Sequence, residues 1–367
     1  MSQHTTASTP RLGLMVAGGG GMTVADMAEL AARAEDSGFS GVYVPEAWRS
    51  GFVPVAAMAA RTQRVTVGPY VMNAHARTPM IAGLTAVDLD EVAGGRLLLG
   101  VGSGNKVTNE KYQGVPVRRP LQKMREYVEL LRLVTTARQG EQVDFAGQVH
   151  SMTGWRSQVD PHRPAIPIYL AATSPRMTEL AGEVADGIAL GSLQSAEFVR
   201  SVVAQARATA GSRPFGVMVA AFVSVDEDRE RARSAGRTAV VNLYAGKPHP
   251  HYDSLLRQQG YVQLADDLTR LVAEGQLDKA HDAVPDEVVD DLVIAGTPDD
   301  CSRRLADYAG IVDEVVMVNT NGMRYRADDD RSAPSRHDLL DSFDKTFALA
   351  RSVTGSGTPT AAGLRGQ

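Results

Sequence analysis

A carboxylate that follows an apolar strand sits where it can hydrogen-bond to a ligand or exchange a proton with it. Glu46, just after Gly41-Val42-Tyr43-Val44-Pro45, is such a residue, and Trp48 beside it offers a flat wall. Their plainer readings are a surface carboxylate and a packing anchor. Asn73, His75 and Arg77 follow the next β-branched run, Val65 to Val71. A lone histidine is more often structural or solvated than catalytic, yet His75 joins Glu46 as a candidate for proton transfer. Gly102-Ser103-Gly104-Asn105 offers bare backbone to a ligand, or is simply a turn. It lacks the third glycine of a dinucleotide fingerprint, and no glycine run continues into Lys-Ser/Thr, so a phosphate-cradling P-loop is absent. In Ala172-Thr173-Ser174-Pro175, two hydroxyls precede a helix-opening proline. That arrangement is either an ordinary N-cap or a site offering free N–H groups to an anion. No HExxH spacing points to a metal, and no Gly-x-Ser-x-Gly elbow points to a hydrolase. Cys301 lies in an expected helix and reads as a packing residue.

The elements that must position these residues are short apolar runs alternating with helical stretches. Strands are expected at 12–16, 41–45, 65–71, 96–101, 166–171, 187–190, 215–225 and 312–318. A hairpin is expected at 141–152, an irregular polar stretch at 102–119, and a final helix at about 338–350. Strands apolar on both faces and interleaved with helices predict a parallel sheet covered on its faces. Eight such units predict an α/β fold, a (β/α)8 TIM barrel with insertions at its C-terminal mouth, the alternative being an open doubly wound sheet. Ligand-binding residues then belong on the loops after the strands. One domain is expected over 11–352, with a helical insertion at about 244–295 and flexible tails at 1–10 and 353–367. With 38 Lys plus Arg against 43 Asp plus Glu, the chain lacks the basic surplus of a nucleic-acid binder. It has no apolar run of membrane-spanning length and no signal-peptide pattern, so a cytoplasmic protein is expected.

Four stretches, GVYVPEAW (41–48), VGPYVMNAHARTP (67–79), GGRLLLGVGSG (94–104) and PIYLAATSPRMTELAGEVADG (167–187), resemble the bacterial luciferase-like flavin superfamily. In particular they resemble its deazaflavin branch, which uses coenzyme F420. The resemblance implies a cofactor at the barrel mouth and a homodimer. It also implies a non-proline cis peptide at Tyr70-Val71 behind the ring. Glu46 and Asn73 map to positions near the ring, Gly102, Ser103, Gly104 and Asn109 to the ribityl side, and Ala171, Ala172, Thr173 and Ser174 to the phosphate. Trp48, Asn105 and Tyr112 are expected to wall the substrate pocket. Ala47 and Asn105 depart from the sugar-phosphate dehydrogenase branch, which has histidine and glutamate there, so glucose-6-phosphate oxidation is not expected. The methylene-tetrahydromethanopterin reductase branch is more similar.

The expected activity is hydride transfer between coenzyme F420 and a small organic substrate, with no metal. For Glu46 to manage a proton, its pKa would need raising by a dry, apolar wall such as Trp48. The rivals are an FMN-dependent monooxygenase served by a partner flavin reductase, and a non-catalytic cofactor-binding protein.

Overall fold

Twelve strands carry the sheet structure in the computed structural model, which describes residues 9–47, 49–172, 174–244, 250–321 and 335–356. They are β1 (Arg11–Met15), β2 (Gly41–Val44), β3 (Thr66–Pro69), β4 (Met72–Asn73), β5 (Leu99–Gly102), β6 (Gln142–Ala146), β7 (Ser151–Arg156), β8 (Ile168–Ala171), β9 (Gly187–Leu190), β10 (Gly216–Val225), β11 (Ile294–Gly296) and β12 (Glu314–Asn319). The main sheet runs β3-β2-β1-β12-β10-β9-β8-β5-β4. Its two ends are consecutive halves of one stretch, so the sheet closes into a barrel, and a parallel bridge between Val67 and Leu97 seals it. Counting β3 and β4 as one leaves eight staves, as expected, and no open doubly wound sheet.

The helices are α1 (Val24–Asp36), α2 (Phe52–Arg61), α3 (Pro79–Val92), α4 (Pro120–Thr136), α5 (Pro175–Val184), α6 (Ala196–Ala210), α7 (Arg229–Tyr244), α8 (Pro250–Gln258), α9 (Val262–Ala273), α10 (Leu277–Asp282), α11 (Asp286–Leu292), α12 (Pro298–Ala306), α13 (Arg336–Asp341) and α14 (Phe343–Thr354). Thr23 and Thr297 start α1 and α12 with reciprocal capping boxes, through Asp26 and Asp300. Among the described residues no helix is long and apolar enough to cross a membrane.

Several expectations need correction. The run 65–71 is not one strand, because pairing changes from β2 to β5 partway along it. The end of the stretch assigned to the insertion, 294–295, instead extends the sheet with Gly296 as β11 beside β10. The stretch 102–119 contains a π-helical turn, Thr108–Tyr112. The last helix is two, broken at Ser342. Of the expected tails, residues 1–8 and 357–367 lie outside the described residues, whereas 353–354 belong to α14.

Tyr43, Tyr70, Leu98, Met218 and Val316 fill the barrel. A larger layer lies between staves and helices, and a separate apolar cluster joins the insertion to Leu193 and Phe222. At the closure, β3 lies so near β5 that a Cβ on Gly68 would come within 1.9 Å of the Leu98 carbonyl oxygen. Cys301 is buried in α12, and burial raises its thiol to about 12.

The barrel floor, opposite the mouth, encloses Glu314. It accepts hydrogen bonds from the hydroxyls of Tyr43 and Ser40, each at 3.1 Å, with the Arg11 guanidinium at 3.8 Å. Burial nevertheless raises its pKa above the ordinary value, against the pull of Arg11 and both hydroxyls. A raised folded pKa contributes stability that is full below the unfolded carboxyl range and lost as pH rises through the folded value. Glu314→Gln is therefore expected to gain stability relative to wild type as pH rises from about 4 to about 8. Thermal midpoints of both proteins across that range check this, and parallel curves would refute it.

Candidate active site

Glu46 sits where β2 ends at the mouth, and four donors converge on it. The N–H groups of Gly51 and Asn73 donate at 3.0 and 2.8 Å, and Arg77 forms a two-pronged pair with both carboxylate oxygens. Arg77 also lies over the Phe52 ring, 5.0 Å from its centroid. Burial alone would raise the Glu46 pKa, but Arg77 and the two backbone donors outweigh it and hold the carboxyl below its ordinary value. The raised pKa that proton transfer by Glu46 would need is therefore absent. Glu46 is a fixed anion that pins the loop after β4 to the loop after β2. Trp48 lies outside the described residues.

The Tyr70-Val71 peptide is cis, between β3 and β4. Its two side chains part company. Tyr70 turns into the barrel, donating to the Leu190 carbonyl at 2.6 Å and stacking edgewise on Tyr43, so its ring belongs to the barrel interior. Val71 lies against β5, where a Cβ on Gly100 or Gly102 would meet its methyl groups at 2.8 and 2.6 Å. Glycine at those two places lets Val71 rest on bare backbone. Asn73 is buried and committed: its Nδ2 donates to Asn109 Oδ1 at 2.6 Å and its Oδ1 accepts from the His75 N–H at 2.9 Å. Asn109, fully buried, donates in turn to the Ser103 carbonyl at 2.8 Å. Gly104, at φ +61°, lies over the Asn73 amide with no room for a side chain. The two asparagines thus set the shape of the Gly102–Gly104 turn rather than presenting free amides.

Asn105 uses its side chain on Thr108, accepting from the backbone N–H at 2.7 Å and donating to the hydroxyl at 2.8 Å, so its amide is spent within its own loop. Tyr112 is 69% exposed and walls nothing here. His75 is 5% exposed, and neither ring nitrogen makes a hydrogen bond of ordinary geometry, although the Ser103 carbonyl lies nearby. Burial, then the charge of Lys123, lowers its pKa, so the ring is neutral at pH 7. With both nitrogens enclosed, His75 is no substrate-facing acid in this arrangement. The Tyr127 hydroxyl and His150 Nε2 are also buried without partners, and Tyr127 meets the His150 ring edgewise.

On the next stave, Ala171 ends β8 beside Gly102, Ala172 is buried, and Ser174 is the N-cap of α5. Thr173 lies outside the described residues. The Ser174 side chain makes no capping hydrogen bond, so among the described residues no side chain caps the first-turn N–H groups of α5, which are placed to meet an anion. Beside them is a cavity of about 140 Å³ between α5, α6 and α8, lined by Ala172, Ser174, Gln194, Gln205 and Gln258 among others, none of them charged. The nearest cation in sequence, Arg176, lines a different groove, shared with Glu179 and Glu183.

Arg77 stands among the residues named after the third strand, but its pairing with Glu46 was not expected, and Gln194 in this cavity was not a candidate. Arg77 had a signal, being the one cation among the residues after the third strand. Gln194 had none, because a neutral amide in a polar loop looks like any other.

A family model described as luciferase-like monooxygenase matches residues 3–314. A Mycobacterium tuberculosis protein, whose name assigns it provisionally to the coenzyme F420-dependent oxidoreductases, is 33% identical over 335 residues, covering 85% of this chain and 95% of its own. The 5,10-methylenetetrahydromethanopterin reductase of Archaeoglobus fulgidus is 31% identical over 296 residues, 77% of this chain and 86% of its own. The coenzyme F420-dependent tetrahydromethanopterin reductase of Methanopyrus kandleri superposes with a TM-score of 0.75 at 21% identity, covering 92% of this chain and 97% of its own.

Proposed function

The chain belongs to the luciferase-like monooxygenase family, and on that premise we propose that it is a coenzyme F420-dependent oxidoreductase acting on a small organic molecule. The observation that carries the choice of cofactor is the open N-terminus of α5, facing a cavity whose lining is uncharged. A phosphodiester carries one negative charge, which uncapped N–H groups and a helix dipole can hold unaided. The phosphate monoester of FMN carries about −1.5 to −2 at pH 7 and would leave excess charge unmatched in that lining. The named relatives above 30% identity support the same choice.

The residues present fit such a group. Gly100 and Gly102 leave bare strand backbone beside Val71, and among the described residues no side chain caps the N–H groups after Ser174. When bound, the deazaflavin supplies hydride chemistry at its C5. The chain's part is placement. Val71, backed by β5, forms a fixed floor, and the Asn73–Asn109 pair holds the Gly102–Gly104 turn beside it. Arg77 keeps Glu46 ionised and locked, so Glu46 orients the loop after β4 rather than trading a proton.

Equilibrium titration with coenzyme F420 and with FMN, followed by fluorescence, tests the proposal. Micromolar binding of coenzyme F420 and its oxidation by a substrate panel is the expected result. Micromolar FMN binding without affinity for coenzyme F420 would replace it with the monooxygenase reading and its partner reductase. Tight F420 binding with no turnover on any substrate would favour a cofactor-binding protein.

A further inference from the structure

We propose that His75 is a positioning residue for the cofactor: its neutral ring props the Gly102–Gly104 turn from behind, its protonated ring has no place there, and acid therefore unseats the turn. The proposal rests on the F420 reading above. His75 follows β4, and its ring, 5% exposed, lies beside the Ser103 carbonyl of that turn. Neither ring nitrogen is reached by water or by a hydrogen-bond partner of ordinary geometry, whereas buried polar atoms are nearly always paired. Three more polar groups without partners stand behind the ring. The Tyr127 hydroxyl of α4 and Nε2 of His150, in the turn of the hairpin, are buried and unpaired, with ring centroids 5.8 Å apart. Lys123, one helical turn before Tyr127, is half-buried, and among the described residues no carboxylate pairs with it.

Such a chamber tolerates imidazole and rejects imidazolium, which would be stripped of water and set beside a like charge. Burial, Lys123 and His150 all disfavour protonation of His75, and only the Ser103 carbonyl favours it. His150 is likewise held neutral by burial and Lys123, against a smaller pull from Glu126. Arg77 and Glu46, whose charges reach Tyr127 from the loops after β4 and β2, are spent on each other. A ring that leaves the chamber regains its ordinary pKa of about 6.5. The enclosed arrangement therefore bears no penalty above that value and a growing one as pH falls below it. The turn is the wall that yields. The hairpin is strapped to α4 by Glu126, which accepts from the N–H groups of Gln148, Val149 and His150 at 2.7, 2.7 and 2.8 Å. Burial opposes them, but those bonds and the Gln122 amide hold the Glu126 carboxyl at about 2, so the strap survives mild acid. By contrast, Asn109 is the one buried residue between 103 and 114, and its bonds to Asn73 and the Ser103 carbonyl are what hold the turn.

The test measures dissociation constants for coenzyme F420 by equilibrium dialysis at about pH 7 and about pH 5. It uses wild type, His75→Phe and Lys123→Met. Wild type is expected to lose roughly tenfold in affinity between the two, and His75→Phe less than about threefold. Titration of the ligand itself is common to both proteins, so the ratio of their losses isolates the ring. Lys123→Met is expected to fall between them. Equal acid losses in wild type and His75→Phe overturn the proposal. Hydrogen exchange of the 102–109 backbone without ligand gives a second readout. Extra exchange in acid, confined to wild type, supports the proposal, and matching exchange in His75→Phe overturns it. If His75→Phe does not fold, Lys123→Met decides, and an acid loss as large as that of wild type overturns the proposal. Wild type that binds no coenzyme F420 at either pH removes the cofactor reading, and hydrogen exchange then decides on His75 alone.

Discussion

Arg77→Met is expected to lower the free energy of unfolding at pH 7 by about 3 kcal/mol or more, the scale for breaking a mostly buried ion pair from one side. The side chains of Arg77 and Glu46 are 21% and 13% exposed, so water restores little of what the guanidinium supplies. Only the Gly51 and Asn73 N–H groups would remain on the carboxylate. The face of Phe52 would also lose its cation. The pH dependence has a definite sign. Because the folded pKa of Glu46 is lowered, its contribution is present above the unfolded carboxyl range, about 4.3, and lost as pH falls through the folded value. The variant's deficit should therefore shrink in acid. Urea unfolding of both proteins at neutral and acidic pH measures this, and a constant deficit would mean that Arg77 acts by packing alone. Arg77→Lys keeps the charge but not the two-pronged geometry, and should fall between them.

Gly68→Ala should be worse still, because the obstruction is backbone. A Cβ there lies 1.9 Å from the Leu98 carbonyl oxygen, and no rotamer change relieves it. The barrel must open where β3 meets β5, so the cost should exceed the ~1–3 kcal/mol typical of overpacked cores. Gly102→Ala is the informative contrast. Its Cβ meets a methyl group of Val71 at 2.6 Å, and a side chain can give way. That variant should fold and bind cofactor more weakly, since Val71 is displaced. Thermal midpoints and cofactor titration separate the two, and a near-native midpoint for Gly68→Ala would refute the closure argument.

What was legible in the chain follows from which forces are local. Caps are local signals: at Thr23 and Thr297 the hydroxyl, the acid and the helix start lie within four residues. The staves were legible because strands buried on both faces read as unbroken apolar runs. Residues 294–296 were not, since three residues beside a helical stretch give no period to count. That Tyr70 turns inward while Val71 meets β5 depends on neighbouring staves, and an aromatic near a strand end looks equally suited to either side. Glu46 stands after β2, but its protonation depends on Arg77, 31 residues later. The loop after β9 takes its shape from Gln259, 65 residues beyond Gln194, whose amide bonds the Leu193 carbonyl and the Ser195 N–H from an insertion whose own sequence carries no chemical signature.

The single cysteine has a practical consequence. A thiol buried in α12 and pushed up to about 12 is not a nucleophile at neutral pH. Any new cysteine on the surface would be the only group to react with a maleimide. Tyr112→Cys, on a side chain 69% exposed near the mouth, would carry a fluorophore or spin label without a prior knockout of Cys301. Arrival of ligands could then be followed in an otherwise unaltered protein.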